Sequence, residues 1–356
     1  MSVVLLGSTS GSITLQEPAV AGTNTVNFGA NTGVAILDAN TPAFRNRLIN
    51  SDMRIDQRNA GASVTPADGN YTIDRWFVNL SQASKLSIQQ TTTAPTGFSN
   101  SLKVTSSSAY SVTAGDYFAV IQQIEGFNTA DLSFGTANAK TVTLSFWVQS
   151  SLTGNFGGAL MNSAQNRSYP FSYSISAANT WEQKTITVAG DTSGTWIGST
   201  NGCGMRVIFG LGAGSTYGGG TANAWTGSTF VMAPTGSTSV VGTNGATFYI
   251  TGVQLEKGST ATSFDYRSYG QELQLCQRYY EISNGAMLAT GAINATAGYF
   301  AFSPTFQVAK RANPTLTKVD GAATTTQGGA TLSGFYLYTT STTQAIQSSW
   351  TASSEL

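Results

Sequence analysis

Two aromatic residues, Tyr217 and Trp225, stand in the glycine-rich stretch GLGAGSTYGGGTANAWTG, where no alternation of apolar and polar residues explains them as core. Flat apolar rings beside planar amides suit sugar recognition in water, because a pyranose offers C–H patches on one side and hydroxyls at its rim. The chain has 6 Trp and 14 Tyr, with abundant Asn, Gln and Thr. A loop tryptophan also pins its own loop to the body of a protein, so each ring carries a packing reading beside the sugar reading. Tyr336, Tyr338 and Trp350 form a second candidate set, either an exposed aromatic tip or rings packed between chains. Trp76 and Trp147 lie within strand-like runs and, with Trp181 and Trp196, are expected to be framework.

Carboxylates are the remaining route to catalysis, because the sequence contains no histidine. That excludes Ser-His-Asp and Cys-His triads and His-ligated zinc or iron. A glycosidase needs two Asp or Glu about 5–9.5 Å apart in a cleft. Asp116 with Glu125, and Asp68 with Asp74, are pairs of the right type, but sequence spacing across loops fixes no distance; a protein that is not an enzyme is expected. Glu256 and Asp265, in QLEKGSTATSFDYR, suit either a structural calcium, which takes oxygen ligands, or hydrogen bonds to loop backbone. No other cofactor is expected. The YGGG run lacks the Lys-Ser/Thr and helix of a phosphate loop. Cys203 and Cys276 match no metal spacing and read as reduced, buried thiols.

The elements that must position these residues read as all-β. Charged residues are 10% of the chain against 11% aromatic, with 39 glycines, a composition of packed cores joined by many turns rather than of disorder. Seventeen basic residues balance 17 acidic ones, so the electrostatic footprint of nucleic-acid or anionic-membrane binding is missing. The start, MSVVLLGSTSG, has no basic region before its short apolar run, and no run reaches the eighteen or so apolar residues of a membrane span. Neither secretion nor membrane insertion is expected.

Three regions follow. Residues 1–45 carry short apolar runs (SVVLLG, SITLQ, TVNF, GVAIL) broken by Gly and Asn, too short for a sheet of their own. They are expected to borrow a core from identical chains, as in an intertwined trimer, or to order only against another protein. A charged stretch marks the boundary, with Arg45, Arg47, Asp52, Arg54, Asp56 and Arg58 expected as a solvated or ion-paired strand, and residues 46–281 then hold eight or so alternating strands between 71 and 266. These predict two antiparallel sheets packed face to face, a jelly roll rather than a propeller, since no internal repeat is visible. Low charge between 189 and 247 predicts a long excursion off the sandwich. YGQELQLCQRYYE (269–281) has the spacing of a short helix. Residues 282–356 return to short strands and predict a small β tip domain.

The stretch INSDMRIDQRNAGASVTPADGNYTIDRWFVNLSQASKLSIQQ resembles the tail-fibre and tail-spike proteins of tailed bacteriophages. The likeness continues through ANTWEQKTITVAGDTSGTW, STYGGGTANAW and FYITGVQLEKGSTATSFDYRSYGQELQLCQRYYE, covering roughly residues 46–281. SGSITLQEPAVAGTNTVNF is similar to the virion-proximal part of such fibres. The resemblance implies a homotrimer in the virion tail, with a carbohydrate-binding-like jelly roll and an amino-terminal segment attached to the tail, baseplate or an adaptor. It also implies a distal end that meets bacterial surface polysaccharide. A structural decoration or baseplate component without sugar binding, and a glycan depolymerase using paired carboxylates, are the alternatives.

One outcome is expected from this division. A chain lacking residues 1–45 stays folded, because the middle region has its own core, and loses docking to the tail; thermal unfolding and tail-binding assays of the truncated protein check both parts.

Overall fold

In VTLSFWVQS the side chains of Val142, Leu144, Phe146 and Val148 are fully buried while Trp147 is only half-buried, the period-two alternation of a strand with one face in a core. Strands of this kind build the computed structural model, which describes residues 2–6, 12–16, 44–227, 230–283, 285, 287–290, 300–320, 325–339 and 345–356. The chain divides into two units, Met1–Ala43 and Phe44–Leu356. In the first, β1 (Ser2–Leu6) and β2 (Ser12–Gln16) pair antiparallel, with Ser2 opposite Gln16 and Leu6 opposite Ser12. The strands expected at TVNF and GVAIL lie outside the described residues.

The second unit is a two-sheet sandwich. Its strands are β3 (Tyr71–Ile73), β4 (Trp76–Leu80), β5 (Leu86–Thr91), β6 (Ser101–Ser106), β7 (Tyr117–Glu125), β8 (Val142–Ser150), β9 (Gly154–Met161), β10 (Ser168–Ile175), β11 (Glu182–Val188), β12 (Cys203–Ala213) and β13 (Thr247–Lys257). One sheet runs β10-β9-β12-β7-β4-β3 and the other β11-β8-β13-β6-β5, with every pairing antiparallel. The protein is an all-β jelly-roll sandwich, as its alternation predicts. Phe118, Val120, Phe146, Phe156, Phe209 and Phe248 meet between the sheets with no exposed surface.

Gly158 shows how tightly the layers close. A Cβ there would lie 2.2 Å from the Ile208 carbonyl oxygen and 2.5 Å from the Phe171 ring, distances that no side chain tolerates.

The charged stretch before the sandwich forms ion pairs but no strand. It is irregular, with Asn50 and Met53 in the left-handed region at φ 52° and 60°. Arg47 grips Asp131 through two bonds of 2.8 and 2.9 Å. The backbone polar groups that a strand would satisfy are met instead by buried amides: Asn50 Nδ2 donates to the carbonyls of Ile55 and Asp74 at 2.7 and 2.9 Å. The predicted helix is α1 (Tyr269–Gln277), and its N-cap Ser268 accepts from the Gln271 N–H.

Beyond it, β14 (Tyr280–Ile282), β15 (Met287–Thr290), β16 (Phe300–Phe302), β17 (Thr315–Asp320), β18 (Thr326–Gln327), β19 (Leu337–Thr339) and β20 (Ala345–Ser353) form two small sheets. Both β14 and β15 pair with β20, as does β17, while β19 lies between β16 and β18. Residues 354–356 then return to the sandwich. Glu355 is gripped by Arg58 at 2.7 Å and by the buried Arg75, whose guanidinium lies 3.6 Å from the centre of the Tyr279 ring.

Gly158→Ala is expected to lower the stability of the sandwich by about 1–3 kcal/mol, the usual cost of overpacking; chemical denaturation of the variant beside the wild type measures it.

Candidate functional site

The central strands β7 and β12 carry apolar residues on both faces. Phe118 and Val120 point into the sandwich, whereas Ala119 and Ile121 point away from it and are buried all the same. Across the outer face the register sets Phe77 beside Ile121, Ile121 beside Ile208, and Ile208 beside Ala159. This apolar stripe needs cover. The glycine-rich excursion supplies part of it: Val231, Met232 and Ala233 are buried, and Ala233 packs close over Gly157 and Gly210, where added Cβ atoms would stand 2.8 and 3.2 Å from its methyl. Residues 354–356 supply another part, since Tyr71 and Gln123 both donate to the Leu356 carbonyl, at 3.1 and 3.0 Å.

What these covers leave open is a groove of about 540 Å³ lined by Asn79, Tyr117, Ala164, Gln165, Tyr217 and Phe230. Three rings meet edge to face at one end: Tyr117 and Tyr217 at 5.1 Å and 79°, Tyr217 and Phe230 at 5.5 Å and 75°, Tyr117 and Phe230 at 6.2 Å and 89°. Edge-to-face contact leaves ring faces that a stacked pair would hide. Burial raises the pKa of the Tyr117 hydroxyl, and Asp68 and Tyr217 add to the effect, so this hydroxyl stays neutral. Asn79 donates to Asp68 at 3.2 Å, and its own Oδ1 has no partner among the described residues.

Local structure holds each lining residue. Tyr217 is anchored by Gly214, whose N–H bonds the Asp116 carbonyl at 2.8 Å, and where a Cβ would come within 1.8 Å of the Thr113 oxygen. Met232 donates its N–H to the Tyr217 carbonyl at 2.8 Å. At the other end the β9–β10 hairpin carries Gln165 at φ 58°. The fully buried Asn162 fixes that turn, its Oδ1 accepting from the N–H groups of Asn166 and Arg167 at 3.1 Å each.

The sequence candidates separate in space. Tyr217 lines the groove, but Trp225 turns away from it and packs edge to face on Trp196 and Tyr169, at 5.5 and 5.2 Å, while its Nε1–H donates to the Ala189 carbonyl at 2.7 Å. This is the geometry of a loop pin. Trp350 is 5% exposed and packs with Phe306 and Phe335 at 5.5 and 5.3 Å in a small core of its own. Tyr336 is 45% exposed and stacks on Tyr338 at 6.2 Å and 29°. Trp76 is core, as expected, and Trp196 packs edge to face on Phe134 at 4.9 Å. Tyr117, Phe230, Asn79 and Gln165 were not singled out by the sequence. The signal available was the run YFAVIQQIE, apolar on both faces.

The carboxylates are engaged elsewhere. Asp116 accepts from the hydroxyls of Ser81, Tyr110 and Thr113, at 2.7, 2.8 and 2.7 Å. Glu125, at the far end of β7, accepts from Arg278 and from the Tyr279 hydroxyl at 2.6 Å. Asp68 bonds the Leu80 N–H at 2.7 Å, and Asp74 takes both the backbone N–H and the side-chain amide of Gln57, at 2.6 and 2.8 Å. None of the groove's lining residues is Asp or Glu. Glu256 accepts from the Thr262 N–H and hydroxyl at 2.8 and 2.7 Å, and the described residues contain no cluster of three or more metal-ligating side chains. Both cysteines are free thiols; Cys276 is buried as expected, whereas Cys203 is half-buried.

No family model matches the chain, and no curated protein matches it. Solved structures do. The enzymatically active domain of tailspike protein 4 of bacteriophage CBA120 is 14% identical over 61% of this chain and 22% of that one, with a TM-score of 0.33. A putative sugar binding protein from Bacteroides thetaiotaomicron is 13% identical over 60% of this chain and all (100%) of that one, at 0.35. TmCBM61 in complex with beta-1,4-galactotriose is 9% identical over 60% and 99%, at 0.30. At 9–14% identity these likenesses concern the fold alone.

Asp74 is a carboxylate whose titration is moved to neutral pH. Burial pushes its pKa up to about 7, against a lowering by Arg58 and the Gln57 donors. It has no exposed surface, so the shift belongs to folding rather than to a substrate. The folded state holds this proton more tightly than the unfolded chain. The contribution to stability is therefore full below the ordinary carboxylate range and is lost as pH rises towards 7. Asp74→Asn is expected to flatten the fall in stability between about pH 4 and 7, read from urea midpoints across that range.

Proposed function

We propose that the outer-face groove binds a saccharide, and that the protein is a trimeric, non-enzymatic tail fibre that holds surface polysaccharide on a bacterium during phage adsorption. The observation that carries the first part is the edge-to-face trio of Tyr117, Tyr217 and Phe230 beside the amides of Asn79 and Gln165. Ring faces meet the C–H patches of a sugar, and amides meet its rim hydroxyls. The groove floor belongs to a sheet and its walls are tied by hydrogen bonds, so little ordering is lost on binding. An open groove also admits the middle of a long chain, which suits a polymer.

The phage role rests on the sequence resemblance over residues 46–281 and on the virion-proximal likeness of SGSITLQEPAVAGTNTVNF. Three weak sites on one trimer gain orders of magnitude in avidity without new contacts. A modest single groove is therefore sufficient for adsorption. In this reading the protein sits in the virion tail, joined to the baseplate or an adaptor through its first residues.

Tyr217→Ala and Asn79→Ala are each expected to weaken binding of a captured glycan by about tenfold, the loss of one stacking or polar contact. Calorimetry on the monovalent ligand measures this. A wild-type protein that binds nothing on a glycan array, and does not compete with phage adsorption, removes the reading in favour of a structural virion component. Clearing of host lawns by purified protein would instead mark a depolymerase.

A further inference from the structure

We propose that the Gln165 end of this groove receives the carboxylate of an acidic saccharide, with Arg206 as its counter-ion. The inference rests on the saccharide reading of the groove and names the class of sugar it takes. Arg206 projects from β12 on the outer face, where Gln123 and Met161 are its cross-strand neighbours. It is half-buried, and its Nε is shut off from solvent without a hydrogen-bond partner.

Every other arginine of the chain is engaged. Most pair with a carboxylate, as Arg167 does with Asp191 and Arg278 with Glu125. Arg311 gives its protons to the carbonyls of Ser354, Asn201 and Glu355 instead. Arg206 has neither. Its guanidinium faces the Gln165 side chain; with that amide turned so that its oxygen points at the guanidinium, the orientation that hydrogen bonding assigns, the oxygen accepts from Nη1 at 2.5 Å and from Nη2 at 3.3 Å.

A carboxamide has the planar shape of a carboxylate and offers one acceptor in the same place, but it brings no charge. A half-buried cation held by a neutral acceptor is left electrostatically uncompensated. A carboxylate at that point supplies two acceptors and the missing charge, the pairing that the guanidinium fork matches best. The neighbouring groups do not fill this role. Cys203 adjoins Arg206, but burial raises the pKa of its thiol, a shift that Arg206 opposes. Glu125 is committed to Arg278 and Tyr279. Asp68 lies beside Asn79 at the aromatic end. The groove therefore has a direction, with stacking rings at one end and a positive charge under Gln165 at the other. The tip that carries Gln165 is braced by Asn162 and by the two bonds from Arg167 to Asp191, of 2.7 and 2.6 Å. The charge is presented at a fixed point.

The experiment uses the full chain and a panel of hexuronate-containing bacterial polysaccharides, each in native and carboxyl-reduced form, with sulfated and phosphorylated polysaccharides as further arms. Titration calorimetry is expected to show the native form of at least one hexuronate bound about tenfold or more tighter than its reduced form, the scale of one charge-assisted contact, with the difference shrinking as salt rises. Arg206→Gln is expected to make the two forms equal. Arg206→Lys keeps the charge without the fork and is expected to keep part of the preference, which guards against a Gln variant that misfolds. Gln165→Ala, which uncovers the guanidinium but also removes a groove amide, is expected to weaken the reduced form more than the acidic one, so that the preference for the acidic form persists or widens. Equal binding of both forms by the wild type, a preference that survives Arg206→Gln in folded protein, or tighter binding of the sulfated or phosphorylated arms overturns the inference while the saccharide reading stands. Failure to bind any form overturns both.

Discussion

The six-stranded sheet has two apolar faces, and the second sheet of the sandwich covers only one of them. The rest of the second unit follows from that constraint. The stripe of Phe77, Ile121, Ile208 and Ala159 on the outer face would cost about 25 cal/mol for each Å² left in water. The excursion after β12 folds back over one flank of it, and residues 354–356 close another. The groove is the gap between two coverings rather than a hollow cut into the sandwich. That is why its walls come from distant parts of the chain: Asn79 from β4, Gln165 from a hairpin tip, Tyr217 and Phe230 from the excursion.

The coverings are fastened by different means. The excursion relies on shape, because the glycines at 157, 210 and 214 remove side chains where backbone and Ala233 must approach. Trp225 adds a pin on the opposite side, held by the Ala189 carbonyl and three aromatic neighbours. Residues 354–356 rely on charge, through Glu355 between Arg58 and Arg75. Buried pairs of this kind add little net stability but are costly to leave half made. They fix one arrangement more than they strengthen it.

The sandwich was legible in the sequence because its strands alternate cleanly, as in Val142, Leu144, Phe146 and Val148, and the helix at 269 was legible from its spacing. The stretch from Arg45 to Arg58 was not. Its charges do pair, but its path depends on Asn46 and Asn50 serving as buried surrogates for backbone partners, and a single Asn carries no mark of that use. At the site, Tyr217 was recoverable because a ring in a glycine run has no core periodicity to explain it. The same argument applied to Trp225, and packing took it elsewhere. Trp350 shows a related limit, since an aromatic residue in a short strand reads alike whether it faces solvent or the small core with Phe306 and Phe335. Asn79 and Gln165 lie 86 positions apart, and only the closed sandwich makes them neighbours. The role of Gln165 depends further on what Arg206 lacks, which is a property of the whole set of ion pairs rather than of any motif.

Arg75 and Glu355 are 280 positions apart. During synthesis the sandwich strands emerge long before Glu355 does, so a nascent chain carries an enclosed guanidinium with no counter-charge until translation has passed that codon. Closure around Arg75 therefore waits on a contact of very high sequence separation, the kind that forms late. Until then the Tyr71 hydroxyl and the Gln123 amide also lack the Leu356 carbonyl that they share in the finished fold.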